Sequence, residues 1–528
     1  MSEKALDHVL VTAGVESPDS ASLDMEDKAV MAQMGKKQQL ARRFNFVTSL
    51  ALSATLLSSW EAIASALGVS LYAGGPVALV WGFFLTGSGT LALAASIAEM
   101  ASMCPISGAQ YHWTYIFAPP KWRIPVTFVQ GWVTVFAWQA TLTSVYFLIA
   151  TQIQGLAILN WPDYGYERWH STLMMWAIVA ITFAINVWGI KLLPATELFA
   201  GICHVLFFVA VSVPMLVLGR NASPDLVFKT YINQTGWSND GVAFFIGLLP
   251  CVWCIVGFDG AIHLSEETTK SATTIPKVIM TTVVLNGTLA WLFVLVSLYS
   301  ISSIDDALGT PTGFPIIEIL RQATGSAAAA TLMETAMLAV GIAALMGTLA
   351  SVSRLTWAFA RDKGLPFSDF FAHVDGHYHI PTRAISLVAV VVVLLSFINI
   401  GSSVALSAIL SLSTISLYLS YIIPIACLLL KRLRVSTRRA APGQAFVGED
   451  AIVFGPFSLG RFGVLVNLYA LCYACVMVPF LTLPTVLPLT KETMNYAGPV
   501  LGLVLLFAAV DYHVRGKRKF HGPRREFD

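Results

Sequence analysis

Apolar residues run along most of this chain in long blocks, and the polar residues gather in the shorter segments between them. Read in order, about twelve blocks stand out: 44–72, 76–100, 126–158, 171–189, 194–218, 241–264, 276–301, 327–359, 382–400, 403–430, 461–483 and 494–514. A helix rises about 1.5 Å per residue and crosses a bilayer in about 20 residues, whereas a barrel strand needs about ten. Block length therefore predicts an all-α integral membrane protein of about twelve spans. Composition agrees, because 56% of the 528 residues are hydrophobic and only 12% are charged, too apolar for an ordinary soluble domain.

The basic residues predict the orientation. If the N-terminus is cytoplasmic and the spans alternate, all but five of the 32 Lys and Arg face the cytoplasm, the exceptions being Arg168, Arg220, Lys229, Arg321 and Lys491. Both termini are then cytoplasmic. The glycosylation candidates Asn221 and Asn233, in Asn-Ala-Ser and Asn-Gln-Thr triplets, fall in the external loop 219–240. Three regions follow: a cytosolic, disordered tail over 1–43, a membrane domain over 44–514 and a basic cytosolic tail over 515–528. The basic clusters beside the first span and at the C-terminus make membrane lipid an expected partner and call for no nucleic acid. Seven scattered cysteines suggest no disulfide framework, and Cys251 and Cys254 read as packing residues within a span. No cofactor and no metal are expected.

Two interruptions carry the candidate chemistry. "SSWEAIAS", residues 58–65, puts Glu61 deep in an apolar block, where a carboxylate costs roughly 2.5–3.5 kcal/mol to insert. "GFDG", residues 257–260, interrupts the sixth block in the same way. Inverted-repeat transporters break corresponding helices in their two halves and bind cargo at the breaks. If spans one to five and six to ten are such halves, Trp60-Glu61 mirrors Phe258-Asp259. An aromatic face and a carboxylate together suit a small ammonium group. The substrate-binding candidates are therefore Ser58, Ser59, Trp60, Glu61, Gly257, Phe258, Asp259 and Gly260.

At these residues the chain resembles the fungal amino-acid, choline and GABA permease branch of the amino acid-polyamine-organocation superfamily. The resemblance rests on "SSWEAIAS", "AEMASMCPISGAQYHW", the stretch from "NQTGWSND" through "GFDGAIHLSEETTKSATTIPKVIM", "SRLTWAFARDKGLPFSDFF", "SYIIPIACLL" and "LPTVLPLTKETMNYAG". It implies a five-plus-five inverted repeat with two extra helices, a cargo site between the first and sixth spans, and alternating access driven by an ion gradient, usually protons. It also implies a transporter domain rather than an enzyme, with the plasma membrane as its default location. The superfamily's glycine-rich first break reads Ser58-Ser59-Trp60 here, so choline or another quaternary ammonium stands beside GABA and other amino acids as cargo. A transporter-like nutrient sensor is the alternative from another class.

Glu61 and His204 are the proton-coupling candidates, His204 because an imidazole titrates near neutral pH. His263, just after the sixth-span break, is a weaker one. Glu99, Arg354 and Arg361, at span ends facing the cytoplasm, are expected to pair as an inner gate. Glu266 and Glu267, near Lys270 and Lys277, are expected to form a solvated cytoplasmic cluster.

Overall fold

Within a bilayer a backbone amide finds no water, so an apolar block must satisfy its hydrogen bonds internally, as a helix. The computed structural model describes residue 27 and residues 31–161, 163–220, 222–401, 405–439, 451–491 and 493–526. Among these, 11 helices are long and apolar enough to cross a membrane. The first span begins at Asn45, whose side chain accepts from the Thr48 amide at 3.0 Å while the Thr48 hydroxyl accepts from the Asn45 amide at 2.9 Å. It runs as α1 (Phe46–Leu57), breaks at Ser58, and continues as α2 (Ser59–Ala66). Four further crossings follow: α3 (Gly75–Met103), then α5 (Arg123–Asn160), α6 (Arg168–Trp188) and α7 (Leu193–Leu218), with the short α4 (Gln110–Phe117) between the second and third spans.

The sixth crossing is the broken one. Its first part is α8 (Asp240–Gly247) and α9 (Leu249–Trp253); a non-helical link then leads to a 3-10 segment over Gly260–Glu267. Spans seven to twelve are α10 (Ser271–Ser300), α12 (Ala327–Arg361), α13 (Thr382–Ser396), α14 (Ala405–Arg432), α15 (Gly463–Thr482) and α16 (Ala497–Asp511), with α11 (Pro315–Thr324) lying between spans seven and eight. Strands β1 (Ser436–Arg439) and β2 (Ala451–Phe454) form a small parallel pair. Residues near both termini meet at one end of the bundle, where the Glu526 amide donates to the Gly35 carbonyl at 2.7 Å. A chain that begins and ends on the same side crosses an even number of times, so the broken sixth crossing completes twelve.

Burial divides the spans by task. The first span is 72% buried, whereas the fifth is 22% and the twelfth 17% buried. Phe199, Leu206 and Val217 on α7 and Leu503 and Leu506 on α16 stand mostly exposed, a surface suited to lipid and not to water. The expectation of a disordered tail up to residue 43 needs correction over 31–43. This stretch lies against the bundle, with Met31, Lys36 and Leu40 buried and the Arg43 and Phe44 amides donating to the Glu267 carbonyl at 2.8 and 3.0 Å.

Candidate functional site

The first break turns on one residue. Ser58 has φ 39° and ψ 50°, a left-handed conformation that stops α1 and starts α2 in a new direction. Glu61 follows in the first turn of α2, where the helix dipole favours a negative charge. Glu61 lines a small cavity of about 50 Å³, together with Ser58 and Ser65 of the first span, Gln152 of α5 and Trp253 at the end of α9; apolar side chains of the first span, α5 and α12 complete the wall. Glu61 Oε2 has no hydrogen-bond partner although it is shielded from solvent.

The other oxygen is held. Glu61 Oε1 lies 2.9 Å from His204 Nδ1 on α7, and His204 Nε2 lies 2.7 Å from Asn286 Oδ1 on α10. Asn286 Nδ2 donates to the Ala54 carbonyl at 3.0 Å, near the end of α1. The network assigns the protons: Asn286 Oδ1 must accept, so His204 Nε2 carries a hydrogen, and one further proton is shared between Nδ1 and Glu61 Oε1. The two proton-coupling candidates of the sequence thus sit in contact.

Other expected site residues fall elsewhere. Trp60 does not face the cavity: its indole is buried among His204, Phe208 and Phe293, and its N–H donates to the His204 carbonyl at 3.0 Å. Consecutive helical residues are about 100° apart, so Trp60 and Glu61 cannot share one face. Ser59 is also fully buried away from the cavity wall. Phe258 packs on Tyr421, ring centres 5.1 Å apart. Asp259 is fully engaged: Oδ2 accepts from Gln110 at 2.5 Å and Trp138 at 3.1 Å, Oδ1 accepts from Tyr421 at 2.5 Å, and His263 Nε2 lies 3.7 Å away. Gly257 makes the turn with φ +93°, and Gly260 presents its carbonyl to Ser351 at 2.9 Å. The second aromatic-carboxylate pair therefore fastens the break to spans three and ten.

The expected gate pairing is corrected as well. Glu99 pairs with Arg432 of α14 at 2.6 Å and accepts from the Leu459 amide at 2.8 Å, because the end of α3 abuts spans ten and eleven. Arg354 reaches Glu267 at 2.7 Å, and Arg361 makes a two-bond fork to Glu266 at 2.9 and 3.0 Å. Glu266 and Glu267 are consequently buried, not solvated, since the 3-10 segment carries them under the last turns of α12. Beyond them Lys36 meets Asp362 at 2.5 Å, with Tyr111 donating to the same carboxylate at 2.8 Å and the Arg524 amide at 3.0 Å. Burial pushes the Asp362 carboxyl up, but Lys36, His112 and Arg361 outweigh it and hold the group at about 2. Burial takes the His112 imidazole down to about 3, leaving it neutral near pH 7.

Asn221 lies outside the described residues. Asn233 has its side-chain amide engaged by the Trp237 carbonyl and Asp240, both at 2.9 Å, and so anchors its own loop. Several buried polar residues of the spans were missed by sequence reasoning. Glu197 and Glu334 are buried acids inside apolar blocks, the same signal that singled out Glu61. Gln152 donates to both Ser65 Oγ and Glu334 Oε1 at 2.7 Å, and nothing in its local sequence marks it.

Residues 44–506 match the family profile described as amino acid permease. A choline transporter of Saccharomyces cerevisiae is 29% identical over 500 residues, covering 94% of this chain and 85% of that protein. A GABA-specific permease of the same yeast is 28% identical over 523 residues, with 97% and 88% covered. Amino-acid permease 2 of Neurospora crassa is 27% identical over 516 residues, with 97% and 91% covered.

Proposed function

The chain belongs to the amino acid permease family, and on that premise we propose that it imports a small amine-bearing solute by alternating access, the cargo's ammonium meeting the free oxygen of Glu61. One observation carries this reading: a buried carboxylate oxygen without a partner faces a cavity at the first-span break. An ammonium supplies what that oxygen lacks, and an ion pair in a water-poor site is stronger than in solution. Trp253 takes the part that Trp60 was expected to play, covering the cation with an aromatic face worth about 0.5–2 kcal/mol. His204 and Asn286 fix the direction of Glu61 and tie it to the end of α1, so cargo binding reaches the hinge at Ser58.

The end of the bundle holding the termini is the cytoplasmic one in this reading, and loop 219–240 faces outward. The basic asymmetry supports that orientation, and the plasma membrane is the location. Buried ion pairs from Lys36, Arg354 and Arg361 close the cytoplasmic end, so the described state faces outward or is occluded. Glu99 braces the same end through Arg432. Uptake is driven by protons, and the proton shared by Glu61 and His204 makes that pair the first store for one.

The similarity to a choline transporter and to a GABA-specific permease supports amine cargo, either an amino acid such as GABA or a quaternary ammonium such as choline. No Lys or Arg lines the cavity, which favours cargo whose recognition rests on its cation. The test is uptake of radiolabelled choline and GABA by cells lacking their own permeases, with a panel of amines as competitors. Saturable accumulation against a gradient is expected. Binding without accumulation or exchange would assign the chain to the sensor class.

A further inference from the structure

A groove of about 600 Å³, far from the Glu61 cavity, is lined by α5, α13, α16 and the segment 363–371 that follows α12. Ligand sites span roughly 300–1,000 Å³ and combine apolar walls with a few polar groups, but this groove offers hydrocarbon alone. Its polar side chains are turned away to partners of their own. The Gln139 amide donates to the Val388 carbonyl at 3.1 Å, the Thr356 hydroxyl to the Val352 carbonyl at 2.7 Å and the Trp132 indole to Asp511 at 3.2 Å. Leu503 and Phe507, on the wall given by α16, are 65% and 50% exposed. An occupant that satisfies such a wall is itself a hydrocarbon chain.

Two residues beside the groove are not accounted for by the protein's own contacts. Phe367, on its wall, has φ 52° and a side chain 82% exposed. A bulky residue rarely takes that backbone conformation, so strain here delivers an apolar ring to an open groove. Arg383, in the first turn of α13 and four residues before the groove residue Leu387, is half-buried. Its guanidinium lies 4.4 Å from the centre of the Phe370 ring and donates one hydrogen bond, to the Phe370 carbonyl at 3.3 Å. Among the described residues no carboxylate pairs with it, and four of its five N–H groups stay free. The neighbouring cations are spent: Arg515 serves Asp511 and the carbonyls of Lys363, Gly364 and Leu365, and Lys363 pairs with Asp369.

We propose that this groove binds one anionic glycerophospholipid, with an acyl chain lying between α13 and α16 against Phe367 and the headgroup phosphate on the free N–H groups of Arg383. A guanidinium offers phosphate two parallel N–H bonds, which an apolar groove alone cannot. Exposed Lys517, Arg518 and Lys519, just past α16, favour a headgroup of net negative charge. The orientation proposed above puts this end in the cytoplasmic leaflet, where anionic lipids gather. Arg515 already ties segment 363–371 to α16, and the segment continues directly from the end of α12, whose Arg354 and Arg361 make the buried ion pairs. A chain seated against Phe367 and Phe371 therefore fastens the closed end of the bundle from its membrane side.

The experiment titrates purified, delipidated full-length protein with dioleoylphosphatidylserine and, separately, with dioleoylphosphatidylcholine. Bound lipid is counted by native mass spectrometry, and thermal unfolding is followed in parallel. No cargo is present, so the result is independent of the transport reading. Wild-type protein should bind the serine lipid about tenfold more tightly than the choline lipid and unfold at a higher temperature with it. Arg383→Gln should bring the two affinities within about twofold of each other and leave the lipid-free unfolding midpoint near that of wild type. Val391→Trp fills the groove and should weaken both lipids by about tenfold; should it not fold, Leu503→Trp, on the exposed face, makes the same test. Replacing Lys517, Arg518 and Lys519 together by Gln should cost less than Arg383→Gln does. Equal wild-type affinities, unchanged serine-lipid affinity in Arg383→Gln, or unchanged binding in a folded groove-filling variant would each overturn the proposal. A larger loss from the triple variant than from Arg383→Gln would overturn it too, by assigning the binding to diffuse surface charge.

Discussion

An arginine with no exposed surface is stable only beside a partner, and Arg354 has Glu267 at 2.7 Å. Removing one member strands the other charge, which typically costs about 3–5 kcal/mol, while removing both costs far less. Arg354→Met should therefore lower the thermal unfolding midpoint sharply, and Arg354→Met with Glu267→Leu should recover most of the loss. A Glu99→Arg, Arg354→Glu swap should rescue nothing, because Glu99 faces Arg432 instead; Glu99→Arg with Arg432→Glu is the swap expected to regain activity. At this scale the sequence revealed which groups were unusual but not which groups met. Glu61 announced itself by being an acid in an apolar block, and Glu197 and Glu334 carry the same mark. Partners such as Arg432, Asn286 and Gln152 come from spans far apart in the chain, and no local pattern encodes those meetings.

The elements were more legible, because their boundaries follow local rules. Runs without charge became helices, and the interruptions "LLSSWE" and "GFDG" became the breaks at Ser58 and at 254–259, where left-handed residues end the helical hydrogen bonding. What could not be read was the face each side chain takes after a break. Trp60 followed its helix into packing, Phe258 packed on Tyr421 from the non-helical link, and Asp259 turned to Gln110, Trp138 and Tyr421. The hinge itself is testable. Ser58 holds φ 39°, a region that glycine tolerates and β-branched residues resist. Ser58→Gly should preserve stability or raise it by up to about 1 kcal/mol, whereas Ser58→Val should cost about 1–2 kcal/mol and slow exchange. Thermal unfolding and counterflow rates check both, and a Ser58→Val protein as stable and fast as wild type would remove the break from the mechanism.

For the molecule as a whole, charge holds one end of the bundle. Ion pairs close the end where the termini meet, and the outermost of them depends on pH in a defined way. Asp362 is held at about 2 against an ordinary 3.8, so its ionisation adds about 2 kcal/mol to the folded state above about pH 4, lost as the pH falls toward 2. Lys36→Met removes the nearest cation and raises the carboxyl's affinity for protons. Acid unfolding of the variant should begin at a higher pH than in wild type; coincident acid transitions would contradict the assignment. The twelve-span architecture was legible from block length and from the basic asymmetry, both of which act over the whole chain. The proposed orientation would make residue 230 external, and labelling a cysteine placed there should then succeed from outside intact cells. The central claim remains that Glu61 meets the cargo's cation, and equilibrium binding of a radiolabelled amine to purified wild-type and Glu61→Gln protein tests it most directly. A partly buried ion pair is worth roughly 2–5 kcal/mol, so the variant should fold normally and bind at least thirtyfold more weakly. Wild-type affinity in a folded Glu61→Gln protein would contradict the account.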